Sequence, residues 1–504
     1  MAEDSKADER FPAPVYTETV LRTNFNDAKK YFLHDLIQIH YAQTMMLCKQ
    51  GIIALQDAKL CIQALDALDL PAISAAEYDG SYEDLFFLIE KKLAATVGID
   101  AAGKMHTARS RNDIDITLYR MALRREVLDI MAALSALRAV LLHLSDANIA
   151  AIMPGYTHTQ PAQPTTLAHY LAGVDEMFAR DQKRLIAAFE TVDHSPMGAC
   201  AITTTGFPID RRFMADLLGF EEIQLNSWGA IASVDYVTET AAAIAVCMVN
   251  VGKLIVDLLQ WCTPDFGYLR LSDAFVQISS IMPQKRNPVA LEHVRILASK
   301  AFAQAQGVLM CQHNTPFGDI VDSEDDLQPL VFAGTTDCLR ALRLLAGALA
   351  GAQFDRERML LRSRQNFITT TELADTLVRK ERLSFRVAHR VVSSAIRICQ
   401  ERNCVSLAEI VFEIAPAIIG RSLTMTMEDM KLAANPEHFI AVRDVPGGPG
   451  SNAIQSALIS ARAGYRRSIA WSAGKSAHLD GSSENLKQAV ESVRTAETAQ
   501  DTNA

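Results

Sequence analysis

The feature that most constrains the fold is a long apolar segment between residues 227 and 261. At about 1.5 Å per residue, one α-helix over this segment is about 50 Å long. The stretch 241–251 is apolar on nearly every side, which a helix tolerates only where other helices surround it. Alanine and valine dominate the stretch, so we expect its neighbours to pack closely. The segment therefore predicts a helical bundle that other copies of the chain complete.

Other segments show the same helical spacing of apolar residues, whereas alternating, strand-like patterns are scarce. We predict further long helices over 30–66, 112–146 and 164–192. A polar run begins near residue 472, and within it we predict only a short helix at 484–493. Glycine (24 residues) and proline (17) are used less than average in this chain of 504 residues, as long regular elements require. The sequence thus predicts an all-α fold.

Polar segments between the predicted helices divide the chain. At roughly 150 residues per domain, a chain of this length is expected to hold about three. We predict an N-terminal helical domain over 1–112, a central helix-bundle domain over 113–362, and a C-terminal helical domain with a polar tail over 363–504. The central domain contains a polar loop at 277–288, which is rich in side chains that form hydrogen bonds.

Charge and cysteine content restrict the kind of protein. Lys and Arg total 49 against 59 Asp and Glu, a net charge of −10, which argues against a nucleic-acid partner. Nine cysteines occur without a CxxC pair, so we expect reduced thiols in a cytoplasmic protein and no metal centre. The N-terminus lacks a secretory pattern, and the apolar stretch 241–251 is shorter than the ~20 residues that span a bilayer. We therefore expect no membrane association.

The first of three polar blocks, GKMHTARSRND at 103–113, ends where a helix is predicted to begin. Ser110, Arg111 and Asn112 would add directed donors to the free N–H groups and positive dipole of the helix N-terminus. That combination suits a carboxylate or phosphate. The alternative is an ordinary helix cap, with Asn112 or Asp113 at the N-cap and the arginines in surface ion pairs. Spacing alone leaves both interpretations open.

The second block, PGYTHTQPAQP at 154–164, crowds hydrogen-bonding side chains into a loop bounded by prolines. Thr157, His158 and Gln160 lie at its centre, and an imidazole there can transfer protons near neutral pH. Taken alone, however, the segment is more typical of a histidine that bonds a neighbouring backbone carbonyl.

The third block, SSIMPQKRNP at 279–288, places two hydroxyl groups before a turn and two nitrogen-bearing side chains after it. Ser279 and Ser280 precede the proline, and Lys285 and Asn287 follow it. One interpretation is a reactive hydroxyl beside donors that stabilise negative charge. The other is a surface loop with a basic cluster. The chain lacks the GxSxG motif of serine hydrolases.

Together the three blocks resemble the fumarase/aspartase superfamily. SSIMPQKRNP is similar to its signature, GSSxMPxKxN, while HTARSRND and PGYTHTQPAQP resemble the other two blocks as argininosuccinate lyases have them. The resemblance covers about residues 30–450, with further matches at 208–212, 226–227, 372–380 and 384–389. Three blocks in the family's order favour the catalytic interpretation of each over its structural alternative.

The resemblance implies a fold and an activity. The fold is the three-domain, all-α fumarase/aspartase-like fold, in which central helices from several subunits form one core. It also implies a homotetramer whose active sites each take the three blocks from three subunits. Such enzymes cleave a C–N or C–O bond of a small dicarboxylate substrate and release fumarate by acid–base chemistry, without a metal or organic cofactor.

The resemblance also implies catalytic roles. Ser279 matches the general base, with Ser280 as the competing assignment, and Lys285 assists deprotonation of the serine. His158 matches the histidine near the leaving group, held by the carboxylate of Glu292. Whether His158 donates a proton or acts through its charge stays open.

The remaining matched residues are implied to bind substrate. They are Ser110, Arg111, Asn112, Thr157, Gln160 and Asn287. Removing a proton next to a carboxylate creates a doubly charged aci-carboxylate, so pre-aimed donors around that group lower the barrier directly. Gln160 has an alternative role, bracing the loop that carries His158.

Departures from the family pattern concern mainly the half of the substrate that leaves. A segment like YNKDLQEDK, whose Tyr, Gln and Lys contact the arginine side in argininosuccinate lyases, is replaced by TPFGDIVDSEDD at 315–326. Of a Trp-Gly-Gly-Arg-Phe segment near the start, only Arg10 and Phe11 remain. Ile278 replaces the glycine before the paired serines, and Gly229 replaces an acidic residue.

These departures imply an N-substituted aspartate other than argininosuccinate. One variant of the family acts on ethylenediamine-N,N'-disuccinate (EDDS) and gives fumarate and N-(2-aminoethyl)aspartate, which makes EDDS the leading candidate. Argininosuccinate, giving arginine and fumarate, is the alternative. A non-catalytic structural relative of the same fold is a third hypothesis, against which the retained Ser279, Lys285, Asn287 and His158 argue.

Overall fold

The structure is a computed structural model that describes residues 11–402 and 406–497. Arg10 and Cys404 lie outside the described residues. Helices make up most of the described chain and strands are few and short, so the predicted all-α class is confirmed.

The N-terminal part consists of short helices. They are α1 (Pro14–Tyr16), α2 (Arg22–Tyr31), α3 (Leu33–Lys49), α4 (Leu55–Asp66), α5 (Leu70–Ala75), α6 (Leu85–Val97) and α7 (Ile99–Lys104), with a π-helical turn at Thr17–Leu21. The predicted single helix over 30–66 is wrong. The chain turns after α3 at Gly51, whose φ of +66° lies in the left-handed region that favours glycine.

Five long helices form the central bundle, and two short ones precede the third of them. In chain order these are α8 (Arg111–Ala147), α9 (Leu167–Val192), α10 (Arg211–Leu217), α11 (Ser227–Ala232), α12 (Asp235–Trp261), α13 (Val289–Gln312) and α14 (Gln328–Ala350). α8 confirms the helix predicted over 112–146. α9 confirms the helix predicted over 164–192, except that it begins at residue 167. The helix predicted over 227–261 is interrupted at residues 233–234, where the extended backbone of Ser233 ends α11.

The bundle buries its helices unequally. α12 packs on α9 and α13, and α14 packs on α8 and α13, around a core shared with the N-terminal helices. Part of the outer surface of α12 and α13 nevertheless stays apolar and exposed in the single chain. The side chains are Val246, Val249, Val256, Ile296 and Phe302.

Two bundle helices, α8 and α12, are long and apolar enough to cross a membrane by length and composition alone. In the fold, 67% of the most apolar window of α8 and 50% of that of α12 are buried by protein. Burial of this kind is typical of core helices in a bundle.

The C-terminal part has its own small core. Its helices are α15 (Arg356–Ser363), α16 (Thr370–Glu381), α17 (Phe385–Arg402), α18 (Leu407–Ile419), α19 (Met427–Ala433), α20 (Pro436–Ala441) and α21 (Ser451–Thr495). Apolar side chains from α16 to α19 pack together, apart from the main core. The domain boundaries at 112/113 and 362/363 stay predictions; the second falls within α15.

The last helix corrects the prediction for the polar C-terminal run. α21 is one helix of 45 residues, not the short helix predicted at 484–493. It packs against α8 and α9, and few of its side chains, among them Leu486 and Val490, are buried. The prediction failed because tertiary packing and ion pairs such as Lys475–Glu221 stabilise a helix whose apolar face is sparse.

The strands form small two-stranded pairs. They are β1 (Ile152–Thr157), β2 (Gln160–Thr166), β3 (His194–Ser195), β4 (Glu222–Ile223), β5 (Leu269–Arg270), β6 (Gln277–Ile278), β7 (Arg286–Asn287) and β8 (Gln353–Phe354). β1–β2, β5–β8 and β6–β7 are antiparallel, whereas β3 and β4 run parallel. The β1–β2 hairpin carries the second polar block, and the β6–β7 hairpin carries the third.

Candidate active site

The first polar block forms the N-terminus of α8, the helix with the longest buried face in the bundle. Ser110, rather than Asn112 or Asp113, is the N-cap: its Oγ accepts the N–H of Asn112 at 3.4 Å, while Asp113 accepts the N–H of Ser110 at 2.9 Å. The hydroxyl of Ser110 also donates to Oδ1 of Asn112 at 3.2 Å, so the cap holds one end of the Asn112 amide. Its Nδ2 donates to the carbonyl of Ala201 at 3.1 Å and to Oδ2 of Asp319 at 2.8 Å.

Asp113 ties a second loop to this N-terminus. Its buried carboxylate accepts backbone N–H groups from Ser110, Gly198 and Cys200 at 2.9–3.0 Å. Burial raises the pKa of Asp113 to about 6, although the three N–H groups favour its charged form. The sequence alone suggests Asp113 only as a helix cap, although its position three residues after a serine is the signal of a capping box.

Arg109, just before the cap, is held in the core. Its guanidinium, on a residue only 7% exposed, lies 2.8 Å from Nδ1 of His40. Burial lowers the pKa of Arg109 to about 10. Burial and the adjacent guanidinium hold the pKa of His40 well below its usual range, so a neutral imidazole accepts from Arg109. This contact fixes the chain directly before Ser110.

The predicted substrate ligand Arg111 is engaged by carboxylates of its own chain. Its guanidinium bonds Asp84 at 2.7 Å and Glu83 at 3.1 Å, and it lies 4.0 Å from Asp115. These contacts are ion pairs of the kind expected if the segment is an ordinary helix cap. They do not leave the guanidinium open to an anion. A role for Arg111 in substrate binding stays a prediction.

Acidic side chains that the sequence analysis did not single out gather beside Arg111 and Asn112. Besides Asp115, they are Asp319, Glu324 and Asp325, from the loop between α13 and α14. The hydroxyl of Tyr119 donates to Asp325 at 2.8 Å. Burial raises the pKa values of Asp115 and Asp325. Burial, and then the neighbouring Asp319 and Asp325, raise the pKa of Glu324 to about 7, and Glu324 shares a hydrogen bond with Asp319.

The second block lies at an exposed hairpin tip. Thr157 pairs with Gln160, so His158 and Thr159 form a two-residue turn, with φ of +51° and +62°. Turns of this kind usually require glycine or asparagine, so the backbone here is strained. The structure presents Thr157, His158 and Gln160 on the surface of the single chain.

The hairpin is anchored below its tip. The hydroxyl of Tyr156 on β1 lies 3.1 Å from that of Tyr268, and Nε2 of Gln163 on β2 donates to Thr371 at 3.0 Å. The tip is therefore positioned by contacts on both strands although its own side chains are exposed.

The third block forms the second exposed hairpin. Oγ of Ser279 accepts the backbone N–H groups of Ile281 at 3.4 Å and Met282 at 3.2 Å. Such donors would stabilise negative charge on this oxygen, and the role of Ser279 as the base stays a prediction. Ser280 and Lys285 are exposed.

Asn287 lies on β7 opposite Gln277, and Glu292 lies exposed in the first turn of α13. Among residues 11–402 and 406–497, no hydrogen bond or ion pair of a single chain joins the three blocks, nor His158 to Glu292. What one chain does bring together is the first block with the loop that carries Asp319.

Comparison with known proteins decides the family. Residues 37–303 match a protein family described as Lyase, and residues 367–441 match the argininosuccinate lyase C-terminal family. Argininosuccinate lyase 2 of Agrobacterium fabrum is 42% identical over 458 residues, which are 90% of this chain and 91% of the relative. The chain belongs to the argininosuccinate lyase family.

The family lies within the fumarase/aspartase superfamily, and two further proteins are similar to the chain over more than nine tenths of their length. Argininosuccinate lyase of Methanoculleus marisnigri is 36% identical over 91% of this chain and 93% of its own. A crystal structure of EDDS lyase in complex with formate is 28% identical, with a TM-score of 0.85 and 96% of both chains covered; a variant of EDDS lyase with bound fumarate matches equally.

These findings confirm the predicted family, fold and enzyme class. As a member of the argininosuccinate lyase family, the chain is a carbon–nitrogen lyase that releases fumarate. The hypothesis of a non-catalytic structural relative is set aside.

Proposed function

We propose that this lyase eliminates fumarate from ethylenediamine-N,N'-disuccinate and releases N-(2-aminoethyl)aspartate. The loop at 315–326 carries the proposal: it lacks the Tyr, Gln and Lys of the family segment and is rich in acidic side chains, one of which, Asp319, bonds Asn112. The similarity to EDDS lyase over 96% of both chains supports the same substrate.

The proposed chemistry uses side chains of the three blocks and the nearby Glu292. Ser279 removes a proton from the carbon next to a carboxylate, and the electron pair forms the aci-carboxylate. Ser110, Asn112, Thr157 and Asn287 donate hydrogen bonds to the substrate's carboxylates, while Lys285 offsets the charge on the serine oxygen. The C–N bond then breaks as the C=C bond of fumarate forms.

The amine nitrogen leaves with the bonding pair and takes up a proton. His158 is the side chain proposed to face it, as proton donor or through its charge, with Glu292 behind. Two backbone N–H groups already bond Oγ of Ser279, and this supports Ser279 as the base.

We further propose a cytoplasmic homotetramer in which three subunits contribute to each site. Three blocks that make no bonds to one another within the described part of one chain support shared sites. The exposed apolar side chains on α12 and α13 support contact with further copies. Seven free thiols, from Cys48 to Cys338, fit a reducing compartment.

Argininosuccinate is the second candidate substrate, favoured by the names of relatives that are 42% and 36% identical. The deciding experiment incubates the purified enzyme with EDDS, argininosuccinate, adenylosuccinate, aspartate and malate, and follows fumarate by its ultraviolet absorbance. We expect the highest kcat/KM with EDDS and only a residual rate of fumarate release from the Ser279→Ala enzyme. A clear preference for argininosuccinate would replace EDDS by the second candidate, and no fumarate from any N-substituted aspartate would overturn the proposed function.

A further inference from the structure

We propose that Asp319 makes this active site select a leaving amine that carries a second positive charge near the scissile nitrogen. The inference rests on the proposed function, because it concerns the same site, and it defines a property that the leaving group must have.

The carboxylate of Asp319 lies within one hydrogen bond of a proposed substrate ligand. Nδ2 of Asn112, at the N-terminus of α8, donates to its Oδ2 at 2.8 Å. Both side chains are accessible from solvent, so a substrate that reaches Asn112 also meets Asp319. The residue is therefore placed to contact the part of the substrate beyond the carboxylate that Asn112 binds.

The loop that carries Asp319 is fixed on both sides. Before it, Nε1 of Trp228 donates to the carbonyl of Phe317 at 3.0 Å. After it, buried Gln312 bonds the carbonyl of Asp322 at 2.7 Å and the hydroxyl of Ser323 at 3.0 Å. The position of the carboxylate is thus set by the fold before substrate arrives, as a specificity contact requires.

The charge at this point is not neutralised by a direct ion pair, although the more distant charge of Arg111 lowers the pKa values of both Asp319 and Glu324 against the effect of burial. In the described part of the chain, neither Asp319 nor Glu324 forms an ion pair, since Arg111 is engaged by Asp84 and Glu83. The two carboxyl groups share a hydrogen bond, which takes one proton, and burial raises the pKa of both, that of Glu324 to about 7. At least one negative charge therefore remains for a ligand to neutralise.

An organic cation fits this arrangement. No group of three or more His, Cys, Asp or Glu side chains among the described residues is placed to hold a metal ion. An ammonium two carbons from the scissile nitrogen, as in an N-(2-aminoethyl) group, brings a compact charge with several N–H donors to the carboxylate. A neutral alkyl group of the same length leaves Asp319 without a partner.

The test compares fumarate release from N-(2-aminoethyl)aspartate and N-propylaspartate, which have similar length and differ in the terminal charge. We expect the wild-type enzyme to prefer the aminoethyl compound by about 10-fold in kcat/KM, because a charge-assisted hydrogen bond is lost with the propyl group. Asp319→Asn keeps an oxygen that accepts from Asn112 and removes the charge. It should bring the ratio close to one, chiefly by raising KM for the aminoethyl compound.

Asp322→Asn is the matched control, because it removes an exposed charge from the same loop; it should keep the wild-type ratio. The inference is overturned if the wild-type enzyme has nearly equal kcat/KM values for the two compounds, or if Asp319→Asn leaves their ratio unchanged. In both cases fumarate release still supports the proposed function. Fumarate from EDDS but from neither compound also overturns the inference, because a positive charge two carbons from the scissile nitrogen is then not what the site selects. Absence of fumarate from both compounds and from EDDS overturns the proposed function itself.

Discussion

Two clusters of charge show how differently this chain uses ionisable side chains. Inside the bundle, the side chains of Arg138 on α8 and Asp175 on α9 are 2% and 0% exposed. Two hydrogen bonds of 2.8 and 3.1 Å join them, so one positive charge is paired with one negative charge. At the start of α8, Arg111 is 31% exposed and meets Glu83, Asp84 and Asp115.

The difference separates stability from function. Breaking an ion pair that is buried and matched strongly destabilises the fold. Such a pair has no charge left over to bind a ligand. At the N-terminus of α8, by contrast, the carboxylates outnumber the cations. They lie beside side chains that the family resemblance implies to bind substrate. If this contrast is right, breaking the matched pair will lower stability without changing activity, whereas substitutions near the polar blocks will change activity or will change stability only in a pH-dependent way.

The largest effect is expected in an exposed polar block, not in the core. Ser279→Ala should reduce kcat by about 10³–10⁴-fold, because the proposed general base is lost. Its Tm should stay at the wild-type value, since Ser279 lies in a hairpin outside the bundle. Steady-state fumarate release and thermal denaturation measure the two quantities.

Ser280→Ala is the control for that variant and should keep most of the activity. If the Ser280 variant is the inactive one, the base is the neighbouring serine. If the Ser279 variant unfolds, the contrast between the two regions fails.

The bundle should respond in the opposite way. Asp175→Ala leaves the guanidinium of Arg138 buried without its counter-charge and should lower the free energy of unfolding by about 3–5 kcal/mol. Activity per folded enzyme should be unchanged. Urea denaturation at one fixed protein concentration measures the loss.

Arg180→Ala on the same helix is the control, because its pair with Glu176 is exposed and contributes about 0–1 kcal/mol. A loss for Asp175→Ala as small as that of the control would show that the matched pair is not a stabilising element.

Arg111→Met should give the smallest change and the one that depends most on pH. Arg111 is the cation that lowers the pKa values of Asp84, Asp115 and Asp325, which burial raises. Without it these values rise further, and a carboxyl with a raised folded pKa loses its contribution to stability as pH rises through that value.

The free energy of unfolding should therefore fall by about 1–3 kcal/mol at pH 8 and much less at pH 5. Urea denaturation at the two pH values measures this, with exposed Lys487→Met as a control that should show no such difference. A loss equal at both pH values would mean that Arg111 acts by packing and not by its charge.

Local pattern was sufficient for much of the fold. The spacing of apolar residues predicted α8 and α9, and the three polar blocks indicated the family, because periodicity and motif spacing are properties of neighbouring residues. The same signal failed at Gly51, where one positive φ ends a helix, and in α21, whose packing against α8 and α9 comes from other parts of the chain.

The candidate site divides in the same way. The sequence by itself singled out the side chains that are proposed to carry the chemistry, among them Ser279, His158 and Asn112. Only the tertiary structure decided that Asp113 binds the loop at 198–200 and that Asp319 accepts from Asn112, 207 positions earlier in the chain. Contacts over such separations form only when the bundle brings the ends of its helices together, so no local pattern encodes them.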